Sequence, residues 1–278
     1  MLGFLYNTIL GRILLNSIVK RKIFSIIYAT YMKSSLSKHK INKFVKKYNI
    51  NLNDYEESTY KSFNDFFTRK IKKENRLIDV DKKALISIAD GKLKIYKITE
   101  DLKLYIKNSI YSIDELIKDK NISNKYMGGE CLVLRLSLEN YHRYCYIDNG
   151  KQEKNKKING VLHTVQPISQ SRYKVYAQNS REWAVLETEN FDDIVQIEVG
   201  ALLAGKIKNH YENNEFKKGE EKGYFEFGGS TLIILIKKGI VKFDEIFILN
   251  SNNDKETEVK LGKKIGYSIS VDDKSVRL

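Results

Sequence analysis

The chain has 278 residues, 42% hydrophobic and 11% aromatic, which is enough to bury one or two cores and too apolar for disorder throughout. With 16 Gly, one Pro and two Cys it is neither collagen-like, mucin-like nor a disulfide framework. Lys and Arg number 49 against 35 Asp and Glu, a net charge of +14 that favours nucleic acid or an acidic membrane surface, although Lys, Ile, Asn and Tyr are abundant along the whole chain and the charge alone names no partner.

Residues 2–19 are apolar but interrupted by Asn7, Arg12 and Asn16, too broken for a transmembrane helix. No charged n-region, clean apolar core and small-residue exit marks a cleavable signal, so the expectation is an intracellular protein. The spacing of Leu2, Leu5, Ile9 and Ile13, and of Leu10, Leu14 and Ile18, predicts helix. A basic run, Lys20, Arg21 and Lys22, precedes a second apolar set at Ile23, Phe24, Ile26, Ile27 and Tyr28. An apolar face beside basic residues suits a helix lying in the plane of a membrane surface; a pair of core-packing helices with exposed lysines fits the same pattern. Residues 38–48 carry Ile41, Phe44, Val45 and Tyr48 at helical spacing, and 51–58 reads as a loop.

From Leu85 the pattern changes. Strand-length apolar runs stand at 84–88, 93–98, 132–136, 194–199, 231–236 and 246–249, between Gly, Asn and Asp turns. The stretch 152–157 reads as a charged loop. The expected fold is α+β: N-terminal amphipathic helices over residues 1–80, then a mostly β body over 81–278. Cys131 and Cys145 have no CxxC or zinc-spaced partners, so no metal is expected.

Six short motifs follow one another along the chain. They are Phe63-Asn64-Asp65-Phe66-Phe67-Thr68-Arg69, Ala89-Asp90-Gly91-Lys92, Tyr141-His142-Arg143, Asn179-Ser180-Arg181, Val199-Gly200-Ala201, and a block from Lys218 to Thr231 that ends in Gly228-Gly229-Ser230-Thr231. In this order they closely resemble the phosphatidylserine decarboxylase family over nearly the whole chain, and the last block resembles the family's self-cleavage site. The resemblance implies a proenzyme that cuts itself between Gly229 and Ser230. Residues 1–229 would become the β chain and 230–278 the α chain, the two remaining together. Ser230 would become a covalent pyruvoyl group that takes the substrate amine as a Schiff base. The residues suit that chemistry: a hydroxyl directly after the scissile bond can attack the preceding carbonyl, and a glycine leaves that carbonyl unhindered.

A serine hydroxyl needs a base, typically an imidazole oriented by a carboxylate. Asp90 matches the family's Ala-Asp-Gly position and is the expected carboxylate. Of the four histidines, His39 in a lysine-rich helix and His210 in a polar loop read as solvated, which leaves His142 and His163. Many family members carry a second His three residues after the one matching His142; here Cys145 stands there, and a thiol lacks the second ring nitrogen that a relay needs. One assignment is therefore Asp90–His163–Ser230 for self-cleavage, with a hairpin returning His163 beside 142–146 and His142 serving decarboxylation. The reverse assignment stays open.

Phe66 and Phe67 read as core aromatics with Arg69 at the surface, Trp183 and Tyr176 as core, and Arg143 as a candidate for a phosphate or carboxylate. Leu77 replaces the family's usual Pro after the residue matching Arg76. The resemblance implies decarboxylation of phosphatidylserine to phosphatidylethanolamine, with peripheral attachment to the cytoplasmic side of the cell membrane through an anionic lipid surface. No nucleic acid is expected, since the basic residues are not gathered around stacking aromatics, and a homo-oligomer is left open. The alternatives are a related pyruvoyl decarboxylase of a soluble amino acid, and a non-enzymatic basic membrane-binding protein.

Overall fold

The computed structural model describes residues 2–14, 22–56, 59–106, 109–161, 163, 173–201, 206–228 and 230–269. Helices α1 (Leu2–Asn7), α2 (Ile9–Leu14), α3 (Lys22–Lys33), α4 (Lys40–Tyr48) and α5 (Phe63–Phe67) come first. Helix α4 stops at Asn49, whose left-handed backbone (φ 49°) lets its N–H bond the Val45 carbonyl. Ser62 caps α5 by accepting from the Asp65 N–H, and the Asp65 carboxylate accepts in return from Lys61 N.

Strands β1 (Ala84–Ile86), β2 (Gly91–Lys97), β3 (Lys103–Ile106) and β4 (Ser109–Ser112) lead to helices α6 (Ile113–Ile117) and α7 (Lys120–Ser123). Next are β5 (Glu130–Leu136), β6 (Arg143–Cys145), β7 (Gly150–Gln152), β8 (Lys156–Ile158), α8 (Val175–Gln178), β9 (Arg181–Thr188) and β10 (Asp193–Gly200). The chain continues through β11 (Ile207–Asn209), β12 (Glu215–Phe216), β13 (Glu221–Phe225), β14 (Ser230–Ile236), β15 (Val241–Phe243), α9 (Glu245–Asn252), β16 (Thr257–Val259) and β17 (Lys264–Ser268).

Among the described residues the main sheet runs β12-β7-β9-β10-β14-β5-β2-β16, all antiparallel, with β8 also on β9. Its middle strands read as unbroken apolar runs because both faces are covered. Leu232, Ile234 and Ile236 of β14 join one core with Leu132, Leu134 and Ile194, while Ile233 and Leu235 join another with Val133, Val195 and Trp183. Each such side chain contributes roughly 1.5–3 kcal/mol on burial. A second sheet, β11-β13-β6, carries the chain toward β14. A third core packs Met32, Ile41, Phe63, Phe66 and Phe67 of the helices around Phe227, just upstream of β14.

Three expectations are corrected. The run 246–249 is helix, not strand: it sits inside α9, with Glu245 in the first turn and only Phe247 buried, and four apolar residues carry no period long enough to tell the two apart. The stretch 152–157 is not a loop throughout: Gln152 ends β7 and Lys156 and Lys157 open β8, a short strand at the side of β9 whose lysines are exposed, with 153–155 irregular between them. Within 51–58, Leu52–Asp54 forms a 3-10 turn and Tyr55 bridges Ile71, with 57 and 58 outside the described residues. No described helix is long and apolar enough to cross a membrane.

Candidate active site

Ser230 opens β14, paired with Gly200 of β10 on one side and Leu136 of β5 on the other, and is fully buried. It shares a sheet face with Leu232, so its hydroxyl lies on an apolar wall. His142 arrives on the connection from β5 to β6. Its backbone carbonyl accepts from Phe225 N at 3.0 Å, which ties it to the strand leading into β14.

The His142 ring sits between two partners. Nδ1 is 3.1 Å from Ser230 Oγ, and Nε2 is 2.9 Å from the Ser137 carbonyl oxygen. A carbonyl can only accept, so Nε2 carries the proton and Nδ1 keeps its lone pair, to which the serine hydroxyl donates. Burial, with the Arg69 charge as a second cause, pushes His142 down to about 3, so the ring is neutral at pH 7. A neutral imidazole of fixed tautomer on a buried hydroxyl is a general base in position.

The neighbours hold this geometry. The Ser137 carbonyl also accepts from Asn140 N (3.0 Å), and Ser137 N donates to Asn140 Oδ1 (2.7 Å), closing a tight turn. Arg135 Nη1 bonds Ser137 Oγ (3.1 Å), and Arg69 Nη2 reaches the Glu139 carbonyl (3.4 Å). The Phe67 ring lies on His142, centroids 4.1 Å apart. Asn64 Oδ1 accepts from Phe227 N at 2.9 Å, and the Phe227 ring packs edge-on to Phe63 and Phe67. The next residue, Gly228, has φ 144°, where a side chain is disfavoured. Gly229 lies outside the described residues.

Arg69 is therefore not a surface residue: it is 1% exposed, stacked on Tyr55 and Phe66, and bonded to the Phe66 carbonyl and Tyr55 hydroxyl. Its charge type suggested exposure; the carbonyls and rings of its own helix end solvate it instead. The expected core positions of Phe66, Phe67, Trp183 and Tyr176 hold. Sequence reasoning missed Asn64, Phe67 and Ser137 as parts of this site, although the first two lie in a motif it had singled out.

Asp90 stands elsewhere. It precedes β2, and β5 separates β2 from β14. Its Oδ1 accepts from Arg76 Nε (2.8 Å) and Leu261 N (2.9 Å); its Oδ2 bonds Arg76 Nη2 and lies 3.6 Å from Lys260 Nζ. Cys145 is at this end too, lining with Arg76, Tyr141 and Leu261 a cleft of about 370 Å³, and burial pushes its thiol up to about 12. The described contacts bring His142 to Ser230 and Arg76 to Asp90.

His163 is fully buried. Val161 bridges Asn179, and His163 N donates to Asn179 Oδ1 (2.9 Å), which sets both residues beside Asn179. Asn179 Nδ2 donates to the His163 and Gly200 carbonyls, both at 2.8 Å. The His163 ring stacks on Tyr173. Its described link to Ser230 thus runs through Asn179 and Gly200; residues 162 and 164–172 lie outside the described set. His39 is exposed, with Nδ1 2.6 Å from the Leu36 carbonyl, and His210 Nε2 lies 2.6 Å from Glu221 Oε1. Arg143 is engaged by the Thr68 carbonyl and Glu221 and is not free for an anion.

Comparison with known proteins follows the same residues. A model of the family described as phosphatidylserine decarboxylase matches residues 63–267. The chain belongs to the phosphatidylserine decarboxylase family. It is 52% identical to phosphatidylserine decarboxylase proenzyme 2 of Clostridium acetobutylicum, over 95% of this chain and 91% of that protein. It is 44% identical to a phosphatidylserine decarboxylase proenzyme of Clostridium botulinum (strain Langeland), over 95% and 92%, and 40% identical to one of Clostridium kluyveri, over 94% and 90%. Asp90, His142, His163 and Ser230 all fall within the stretch that the decarboxylase family model matches.

Proposed function

We propose that this chain converts phosphatidylserine to phosphatidylethanolamine and carbon dioxide after cutting itself before Ser230, with His142 as the base for the cut. The observation that carries the reading is the His142 ring, held by the Ser137 carbonyl at Nε2 and facing the Ser230 hydroxyl at Nδ1. Family membership supports the substrate and the processing.

Ser230 Oγ gives its proton to His142 Nδ1 and attacks the carbonyl carbon of residue 229. The amide C–N bond breaks, the amine of residue 230 takes the proton back, and an ester remains. Loss of the Ser230 Cα proton then expels the residue 229 carboxylate, and water releases ammonia to leave a pyruvoyl group at the head of the α chain. The site fits such a group: the serine is buried beside a neutral base, and the chain enters through a glycine at a φ that other residues avoid. Once formed, the pyruvoyl ketone supplies the electron sink for breaking the bond between the substrate's Cα and its carboxylate. His142 stays beside that position as a group able to move a proton, while the surrounding aromatic rings exclude water. Asp90, with Arg76, braces the end of β2.

The N-terminal helices support docking on an anionic bilayer. Phe4, Ile9, Leu10, Ile13, Leu14, Ile26 and Ile27 are all exposed, near the basic run at 20–22. Removing residues 1–14 should weaken binding to phosphatidylserine vesicles and leave self-cleavage intact.

The test of the whole reading is the intact mass of the purified, denatured protein, followed by assay on phosphatidylserine vesicles. Two chains split before residue 230, the smaller bearing a ketone, and carbon dioxide release from vesicles are expected. A single full-length chain would overturn the self-cleavage; two chains with activity on free serine alone would overturn the substrate.

A further inference from the structure

Helix α3 uses its two sides differently. Met32, with Tyr28 and Tyr31 partly buried, packs into the aromatic core around Phe227. The opposite stripe, Ile26, Ala29, Thr30 and Lys33, follows i, i+3, i+4, i+7 spacing and lines a groove of about 840 Å³ instead of a packed neighbour. The far wall is β11 with the start of β9, and the groove takes in Lys206, Lys208, Ser180 and Glu226.

One row of the sheet leads from this groove to Ser230. Gly200 N donates to the Ser180 carbonyl, and Gly200 is the ladder partner of Ser230, so Ser180, Gly200 and Ser230 form one row. Adjacent strands lie about 4.8 Å apart, which sets the groove floor about 10 Å from the Ser230 backbone. On the other wall, Glu226 N donates to the Lys206 carbonyl, and Glu226 lies on the segment that runs through Gly228 to β14.

The charges are unequally committed. Glu226 is paired with Lys33, and Glu182 with Lys157. Arg181 gives its guanidinium to the carbonyls of Glu115, Leu116, Ala177 and Asn179. Lys206, just before β11, and Lys208 within it have no ion-pair partner among the described residues, and the remaining carboxylate, Glu212, is exposed. Two uncommitted ammonium groups across from a helix stripe that carries Ile26 and Ala29, in a groove whose floor is two strand spacings from Ser230, match an amphiphile with a phosphodiester between its reacting end and its chains.

We infer that this groove receives the phospholipid substrate itself, its phosphodiester on Lys206 and Lys208 and its acyl chains leaving along Ile26 and Ile27. Those two isoleucines are 62% and 64% exposed. The inference rests on the phosphatidylserine reading above. It makes the lysines substrate-binding residues, distinct from a general attraction to the bilayer.

The test uses the full-length, self-processed chain and its Lys206→Gln/Lys208→Gln variant on short-chain phosphatidylserine kept below its micelle concentration. The expected result is normal chain scission by mass, a KM raised about tenfold and a kcat within about twofold of the parent. A KM unchanged on monomeric substrate overturns the inference, including where activity falls only on vesicles enriched in anionic lipid, since the lysines would then serve the bilayer surface. A variant that stays uncut overturns it too, because the lysines would be acting in processing. Failure of the parent chain itself, once cut, to act on phosphatidylserine overturns the substrate reading instead.

Discussion

Ser230 and Asp90 are both buried polar residues at strand entrances, and their surroundings differ in kind. Ser230 faces a neutral ring, a backbone carbonyl beyond it and aromatic walls; no formal charge lies directly on the hydroxyl. Asp90 faces a guanidinium, an ammonium and a backbone N–H, all donors to a carboxylate. The first arrangement leaves a lone pair and a proton ready to move. The second holds a carboxylate in place among donors. The two motifs look equally catalytic on paper, and what distinguishes them is the kind of partner each one finds.

The comparison breaks most visibly at the histidines. His142→Gln should leave the chain in one piece on denaturing mass analysis, whereas His163→Gln should still cut, because it is the His142 ring that faces the Ser230 hydroxyl, while the His163 main chain bonds the Asn179 side chain and its ring packs on Tyr173. An uncut His163→Gln chain would move the base to that residue.

Arg76→Leu tests the other region. It strands a buried carboxylate without its main partner, and should lower unfolding stability by about 3–5 kcal/mol in denaturant titration. A loss under about 1 kcal/mol would mean that Lys260 and the Leu261 N–H suffice.

A pH comparison gives the smallest effect. The native His142 stays neutral down to about 3, while an unfolded histidine protonates near 6.5. As pH falls below that unfolded value, the unfolded state gains a proton that the native state refuses, so stability drops. The part owed to His142 should reach about 2 kcal/mol between pH 7 and 5 and be absent from His142→Gln. Equal pH slopes in the two proteins would show that the ring is not protected as described.

Much of the fold was legible in the residues. Strand β14 and its neighbours β5 and β10 announce themselves because both faces need apolar side chains. The same logic fails at 246–249, where a four-residue run fits a helix turn as well as a strand, and at 152–157, where the ends of two short strands carry the charges of a loop. At the site, Ser230 was readable from the glycines before it. The contact between residues 142 and 230 was not, because nothing local encodes which imidazole a distant strand will meet. Arg69 was misjudged for a related reason: a guanidinium among aromatic rings is solvated by partners that only the fold supplies.

The position of β14 has a consequence for the mature protein. Both of its long edges are paired with strands that belong to the other product of the cut, β5 and β10. The scission therefore divides the polymer without dividing the domain: within the short piece β15 pairs with β17, but β14 and β16 find their partners only in the long piece. Unfolding, once a first-order event, becomes a dissociation whose midpoint rises with protein concentration. Refolding then requires two molecules to find each other, so the processed protein carries a structure that its separated chains recover only at a bimolecular rate.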